Sequence, residues 1–245
     1  MNKLLLIFGV CAVTALASQA AQAEMRVRAG TGLASSYKLG GDYITAESKY
    51  NPVTVGLTFA ADSGMYVDLA VSGGSGKHDG WKNLGTPEQD FKRSDAALIF
   101  GASKLNPENG IAGTIYIGIK TGKSTLSAKN TGLSWTEETF DTSGLVFGGG
   151  GSFPIASGRA GAIGVNAGLG LMGAKWKDDA GFSAKAKTAV GFSFGVSYTY
   201  PITSSLGLVV DYKGNAYSYN FGDTNNPFTV KETVSTFGAT VYAKF

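Results

Sequence analysis

The stretch Ile111-Ala112-Gly113-Thr114-Ile115-Tyr116-Ile117-Gly118-Ile119-Lys120 decides the fold. Its odd positions carry four isoleucines and a glycine, while its even positions carry Ala, Thr, Tyr, Gly and Lys. A period of two sends successive side chains to opposite faces, so this segment is a strand with one apolar and one mixed face.

The same alternation recurs on both sides of it. It is seen in Met25–Leu33, Val53–Phe59, Met65–Val71, Ile163–Leu171, Val190–Tyr200 and Phe237–Phe245. Weaker versions surround Leu98 and Phe100, Leu145 and Phe147, and Leu208 to Tyr212, with a bulge expected in the glycine run Gly148 to Gly151. Ten strands result, each long enough for the ~9–11 residues that a tilted strand needs to cross a bilayer; eight is the alternative. The connectors alternate in length. Ala61–Gly64, Asn106–Gly110, Pro154–Arg159 and Pro201–Ser205 are tight, whereas Ser36–Tyr50, Gly76–Lys92, Lys123–Glu138, Ala174–Lys185 and Gly214–Thr229 are long and polar. Short turns on one side and long loops on the other are the arrangement of an outer-membrane barrel. In lipid the sheet must close, because an open edge would leave backbone groups unpaired. The expected fold is therefore all-β: a closed antiparallel transmembrane β-barrel with short periplasmic turns and long outer loops.

The first 23 residues are expected to be a signal peptide. Lys3 gives a basic start, Leu4 to Ala17 an apolar run, and Ala21-Gln22-Ala23 a small-x-small cleavage pattern, which leaves 24–245 as the barrel domain. The apolar run has 14 residues, fewer than the ~20 of a spanning helix. Cys11, the only cysteine, lies in this leader after Val10, which argues against lipidation. Without a thiol the remaining chain can form no disulfide, thiolate metal site or cysteine nucleophile. A net charge of +3 is too small to argue for nucleic acid.

Aromatic residues gather where the strands would meet the two membrane surfaces. Trp81, Trp135 and Trp176 lie in or near the long loops and are expected at the outer interface, with Phe59, Phe153, Tyr198, Tyr200 and Phe245 at the other. The final strand alternates and ends on the aromatic Phe245. In this it resembles the assembly signal of bacterial outer-membrane barrels, and with the leader and the loop pattern the chain resembles the small OmpA/OmpX-like superfamily over nearly its full length. The resemblance implies insertion by the barrel-assembly machinery in the bacterial outer membrane; it implies no particular activity.

Candidate chemistry is sparse. Gly168-Leu169-Gly170-Leu171-Met172-Gly173 spells the dinucleotide fingerprint, but Ala174-Lys175-Trp176-Lys177 reads as a loop where a helix is required, and the glycines continue a row from Gly164. Gly118 to Ser124 is one residue short of a phosphate-binding loop. No cofactor is expected. His78, the only histidine, stands beside Asp79 and near Ser75 in a long loop, yet it lacks the second acidic pair, and the serine two residues away, that outer-membrane hydrolases and acyltransferases carry.

Charged residues on the inward phase are Arg26, Arg28, Asp68, Lys120 and Asp211, with Lys213 and Lys244. Two arrangements are open: a salt-bridged plug filling a narrow barrel, and a thin aqueous path. The expected function is correspondingly a non-enzymatic structural or surface-interaction role through the outer loops; a narrow passive pore is the alternative, and a rim enzyme built on His78 is a third. Expected partners are outer-membrane lipid and lipopolysaccharide, the assembly machinery, and a surface partner reached through the loops.

Overall fold

The computed structural model describes residues 24–41, 45–156, 160–222 and 227–245. The leader, with Cys11, lies outside the described residues. Ten long strands run antiparallel: β1 Glu24–Gly41, β2 Thr45–Ala60, β3 Met65–His78, β4 Gln89–Leu105, β5 Ala112–Ser127, β6 Glu137–Pro154, β7 Ala162–Asp178, β9 Ala189–Pro201, β10 Leu206–Phe221 and β11 Phe228–Lys244. Each pairs with its neighbours in sequence; β1 pairs with β11, and β6 with β7, so the sheet closes. The short β8, Ser183–Lys185, runs along β7 in line with β9, and the Ala186 N–H donating to the Ala174 carbonyl at 2.9 Å carries the ladder between them. β8 is thus the upper end of an interrupted eighth stave. At the seam the Phe245 N–H donates to the Met25 carbonyl at 2.8 Å, and the Met25 N–H to the Phe245 carbonyl at 3.2 Å.

The strands have 13 to 18 residues, well beyond the span of a bilayer. At about 3.3 Å per residue and a tilt of about 40°, a 17-residue strand rises roughly 40 Å, against an apolar band of about 25 Å. Most of each long connector is therefore strand, and only the tips are loops. The strands thus run beyond the bilayer-spanning segments read from the sequence and into the long outer connectors.

The reason lies in a reversal of polarity along each strand. On the lower part of β2 the outward residues are Val53, Val55, Leu57 and Phe59, with Thr54, Gly56 and Thr58 inward; higher up, Glu47, Lys49 and Asn51 point outward while Ala46 and Tyr50 are buried inside. The same exchange occurs on β4, where Phe91 and Arg93 are buried inward between outward Asp90, Lys92 and Ser94. The lower half has an apolar outer belt and a polar lumen; the upper half has a polar outer wall and an apolar lumen.

β1 handles the exchange differently. Register shifts between Gly32 and Ala34 and between Thr31 and Ser35 mark a β-bulge at Leu33. Below it Arg26 and Arg28 point inward; above it Tyr37 and Leu39 do. Pro52 of β2 sits opposite the bulge, where the interrupted ladder asks for no N–H donor. No register shift interrupts Gly148–Gly151, so the bulge expected there is absent and the device is placed in β1 instead.

Inward glycines are slots for large side chains. A Cβ on Gly56 would come within 2.5 Å of the Arg28 guanidinium, and one on Gly191 would strike the Tyr217 ring. Gly168 and Gly170, from the dinucleotide-like run, make room in the same way for Tyr116 and Tyr217.

The barrel lumen and a buried histidine as the candidate functional site

In the lower lumen the charges pair along the wall. Arg28 grips Asp68 bidentately, with Nη2 to Oδ2 at 2.7 Å, and Thr58 between them accepts from Arg28 at 2.9 Å and donates to Asp68 at 2.6 Å. The bridge spans β1 to β3 over Gly56 and does not cross the interior. Arg26 pairs with Glu24 at 2.7 Å and lies over the Tyr242 ring at 5.2 Å, and Lys244 reaches Glu24 at 3.5 Å. Asp211 is bridged by Lys213 at 2.8 Å. Lys120 points inward on β5, with no ion pair within 4.0 Å among the described residues.

Above this level a second network crosses the lumen, through residues that reading the sequence did not single out. Arg93 of β4 donates to Asp95 at 2.7 and 2.9 Å, to Ser124 at 2.8 Å and to Glu232 of β11 at 2.7 Å. β4 and β11 are four staves apart in a ten-stave ring, so this bridge crosses the interior. Arg93 and Glu232 are 3% and 2% exposed. The Tyr37 ring lies 5.1 Å from the guanidinium, and the Tyr219 hydroxyl donates to Glu232 at 3.2 Å. Burial first, and then the Glu232 carboxylate, push the Tyr219 hydroxyl far above its ordinary range, which keeps it a donor.

An apolar tier sits on this network. Phe91, Leu126, Phe140, Phe221 and Val230 are all buried, with Tyr37 stacked on Phe91 at 5.0 Å and Tyr219 edge-on to Phe140 at 5.4 Å. Trp176 belongs to it, 7% exposed and edge-on to Phe221, and Trp81 is fully buried beside His78. Both tryptophans were expected at the outer lipid interface. They stand instead above the lipid belt and point inward, because the water-facing upper wall turns its apolar residues toward the lumen. Trp135, on the tip between β5 and β6, is half-buried and also stands clear of the belt. Phe245 faces outward at the lower rim, 72% exposed.

His78 closes the top of β3. Its Nδ1 accepts the Gly80 N–H at 3.1 Å, so Nε2 carries the proton and donates to the Ser127 carbonyl at 2.8 Å. Burial holds its pKa below the usual imidazole value. Asp79 is turned away, accepting from the Glu47 N–H and from Lys82, both at 2.8 Å. Among the described residues no carboxylate or hydroxyl touches the imidazole, so the arrangement positions no general base.

Glu138, also missed in the sequence, is 4% exposed high on β6, where it accepts from the Trp176 indole at 2.9 Å. Burial pushes its carboxyl up from 4.5 to about 7, against the opposing pull of the indole N–H. An acid whose folded pKa is raised stays protonated in the fold after the unfolded chain has ionised. Stability therefore falls as pH rises from about 4.5 to about 7 and is level above that, a loss of at most about 3 kcal/mol. Protection factors of the upper-strand amides, corrected for the base-catalysed intrinsic exchange rate, are expected to be higher at pH 5 than at pH 8, and Glu138→Gln to remove most of the difference.

The sequence matches no protein-family profile and no curated protein. Among solved structures the chain is similar to the outer membrane protease OmpT from Escherichia coli, with a TM-score of 0.59 at 11% identity, covering 91% of this chain and 97% of that one. It is similar also to the translocator domain of the autotransporter NalP from Neisseria meningitidis, with a TM-score of 0.51 at 12% identity, covering 97% and 96%. The likeness is one of fold: a closed ten-strand barrel of the outer-membrane type.

Proposed function

We propose that this outer-membrane-type barrel is a non-conducting, non-enzymatic envelope protein whose role is structural or is exerted through contacts of its water-facing upper half. The observation that carries the reading is the pair of buried side-chain tiers, one ionic and one apolar, that lie across the lumen. A water path would have to pass Arg93, Glu232 and Tyr37 and then the Phe91, Leu126 and Phe140 tier, all of them buried. Against enzyme chemistry of the kind named for the Escherichia coli protease stands His78, both of whose ring nitrogens are spent on backbone groups. Export by the leader, insertion by the assembly machinery with Phe245 as its signal, and residence in the bacterial outer membrane belong to the same proposal.

The test is planar-bilayer conductance with a thermal melt. The parent protein is expected to be silent. Arg28→Ala is expected to lose about 1–3 kcal/mol, because Asp68 keeps its charge without its partner, and to remain silent, because the closing levels lie above it. Steady conductance of the parent protein would overturn the proposal in favour of a pore.

A further inference from the structure

On the outer wall, the register aligns Ser94, Lys123, Asp141, Lys175 and Lys185 in one row across β4 to β8. All five point outward, since their neighbours Arg93, Ser124, Phe140, Ala174 and Trp176 are buried inside and Ala184 and Ala186 pack on the inner core. The row holds three cations and one anion, and that anion is shared upward with Lys177 at 3.5 Å. Lys175 and Lys185 are direct cross-strand partners, a like-charge pairing that destabilises a sheet unless something answers it. Lys123, Lys175 and Lys185 form no ion pair within 4.0 Å among the described residues. Elsewhere on the upper wall some lysines are neutralised, Lys38 by Glu47 at 3.2 Å, Lys82 by Asp79 at 2.8 Å and Lys77 by Asp90. Lys49, Lys92 and Lys231 also form no ion pair within 4.0 Å among the described residues; the row differs in setting three such cations at one height on β5, β7 and β8.

Directly beneath the row the outward residues are small: Ala96, Thr121, Ser143 and Gly173. One step lower begins the lipid belt, with Leu98, Ile119, Leu145 and Leu171. Long lysine side chains above, bulky aliphatics below and small residues between leave a groove of about 660 Å³ in the wall, at the height where the apolar belt gives way to water.

We propose that this groove binds the phosphorylated headgroup of an outer-leaflet lipid, with Lys123, Lys175 and Lys185 on the phosphate and the acyl chains lying down the belt over Leu145 and Leu171. Three uncompensated cations select an anion, and a groove continuous with the lipid-facing surface selects one that carries acyl chains over a free anion. The site rests on the reading of the barrel as membrane-embedded, but not on its lumen being closed.

The test is lipid retention in native mass spectrometry from dodecylmaltoside micelles. The probes are a bisphosphorylated acylated glucosamine disaccharide, its dephosphorylated analogue, and the bisphosphorylated disaccharide without acyl chains. The parent protein is expected to retain the acylated bisphosphate and not its dephosphorylated analogue, with the chain-free sugar failing to displace it. The combined variant K123Q/K175Q/K185Q is expected to bind on the order of a hundredfold more weakly, while K38Q/K49Q/K77Q on the opposite wall binds as the parent does. Equal retention by the first variant, equal loss in both, equal retention of the dephosphorylated lipid, or displacement by the chain-free sugar each overturns the proposal. Each protein is first checked for a strand-type dichroism spectrum and a gel mobility that changes on boiling. A parent that fails to insert into vesicles defeats the membrane reading itself; one that inserts and retains no phosphorylated lipid defeats only this site.

Discussion

Arg93→Ala is expected to destabilise the barrel by about 3–5 kcal/mol, the range for removing one partner from a buried ion pair. The guanidinium answers two carboxylates and a serine hydroxyl in a place without bulk water. Without it, Glu232 and Asp95 stand near each other as like charges, and Glu232 keeps only the Tyr219 hydroxyl. The cost comes from the stranded anion and not from the absence of the bridge, so replacing both ends with apolar residues, Arg93→Met with Glu232→Leu, should recover most of the stability. Thermal melts of the single and double variants measure this. A single variant that melts with the parent would show that the crossing bridge holds nothing together. Current through Arg93→Ala should remain absent, since the Phe91 and Phe140 tier is left in place.

Phe140→Ala is expected to cost about 3–5 kcal/mol, as for deletion of a buried aromatic side chain. Its ring contacts both Tyr219 and Phe221 and is 1% exposed. Phe147, seven residues along the same strand, is 40% exposed to lipid, and its removal leaves no internal cavity. The losses should also differ in place. Phe140→Ala should speed hydrogen exchange in the upper halves of β6, β7 and β10 while the belt stays protected, whereas Phe147→Ala should leave the upper half unchanged. A uniform effect of Phe140→Ala on both halves would show that the two tiers unfold as one unit.

The ten staves were legible because lipid imposes a strict alternation, and Ile111 to Lys120 displays it without interruption. The height of the barrel was not. Above the belt the alternation continues with its meaning reversed, so Val230-Lys231-Glu232-Thr233-Val234, between the connector Gly214–Thr229 and the strand from Phe237, carries no lipid-type alternation although Glu232 is among the most buried residues. Arg93 is hidden in the same way, between Lys92 and Ser94, just past the connector Gly76–Lys92 and short of the weak alternation around Leu98 and Phe100. The signal was present: extending each strand's phase past its last lipid-facing residue puts Phe91, Arg93, Leu126, Phe140 and Glu232 on the inward face. Trp81 and Trp176 misled because a tryptophan near a membrane boundary is expected in the interface, and here the neighbouring soluble core claims it. The bulge in β1 left no trace in the pattern.

The bulge in β1 sets where the wall can accept a charge. Along β2 the positions open to a new lysine are the even ones in the lower lumen, near Thr54 and Thr58, and the odd ones above, beside Glu47 and Lys49. The tolerant phase jumps at Pro52. Along β1 it stays even from Arg26 to Lys38, because the extra residue at Leu33 turns the strand over at the height where its surroundings change sides. Shortening β1 by that one residue would therefore change no side chain's chemistry above the belt. It would turn Lys38 into the aromatic interior and Tyr37 and Leu39 out to water.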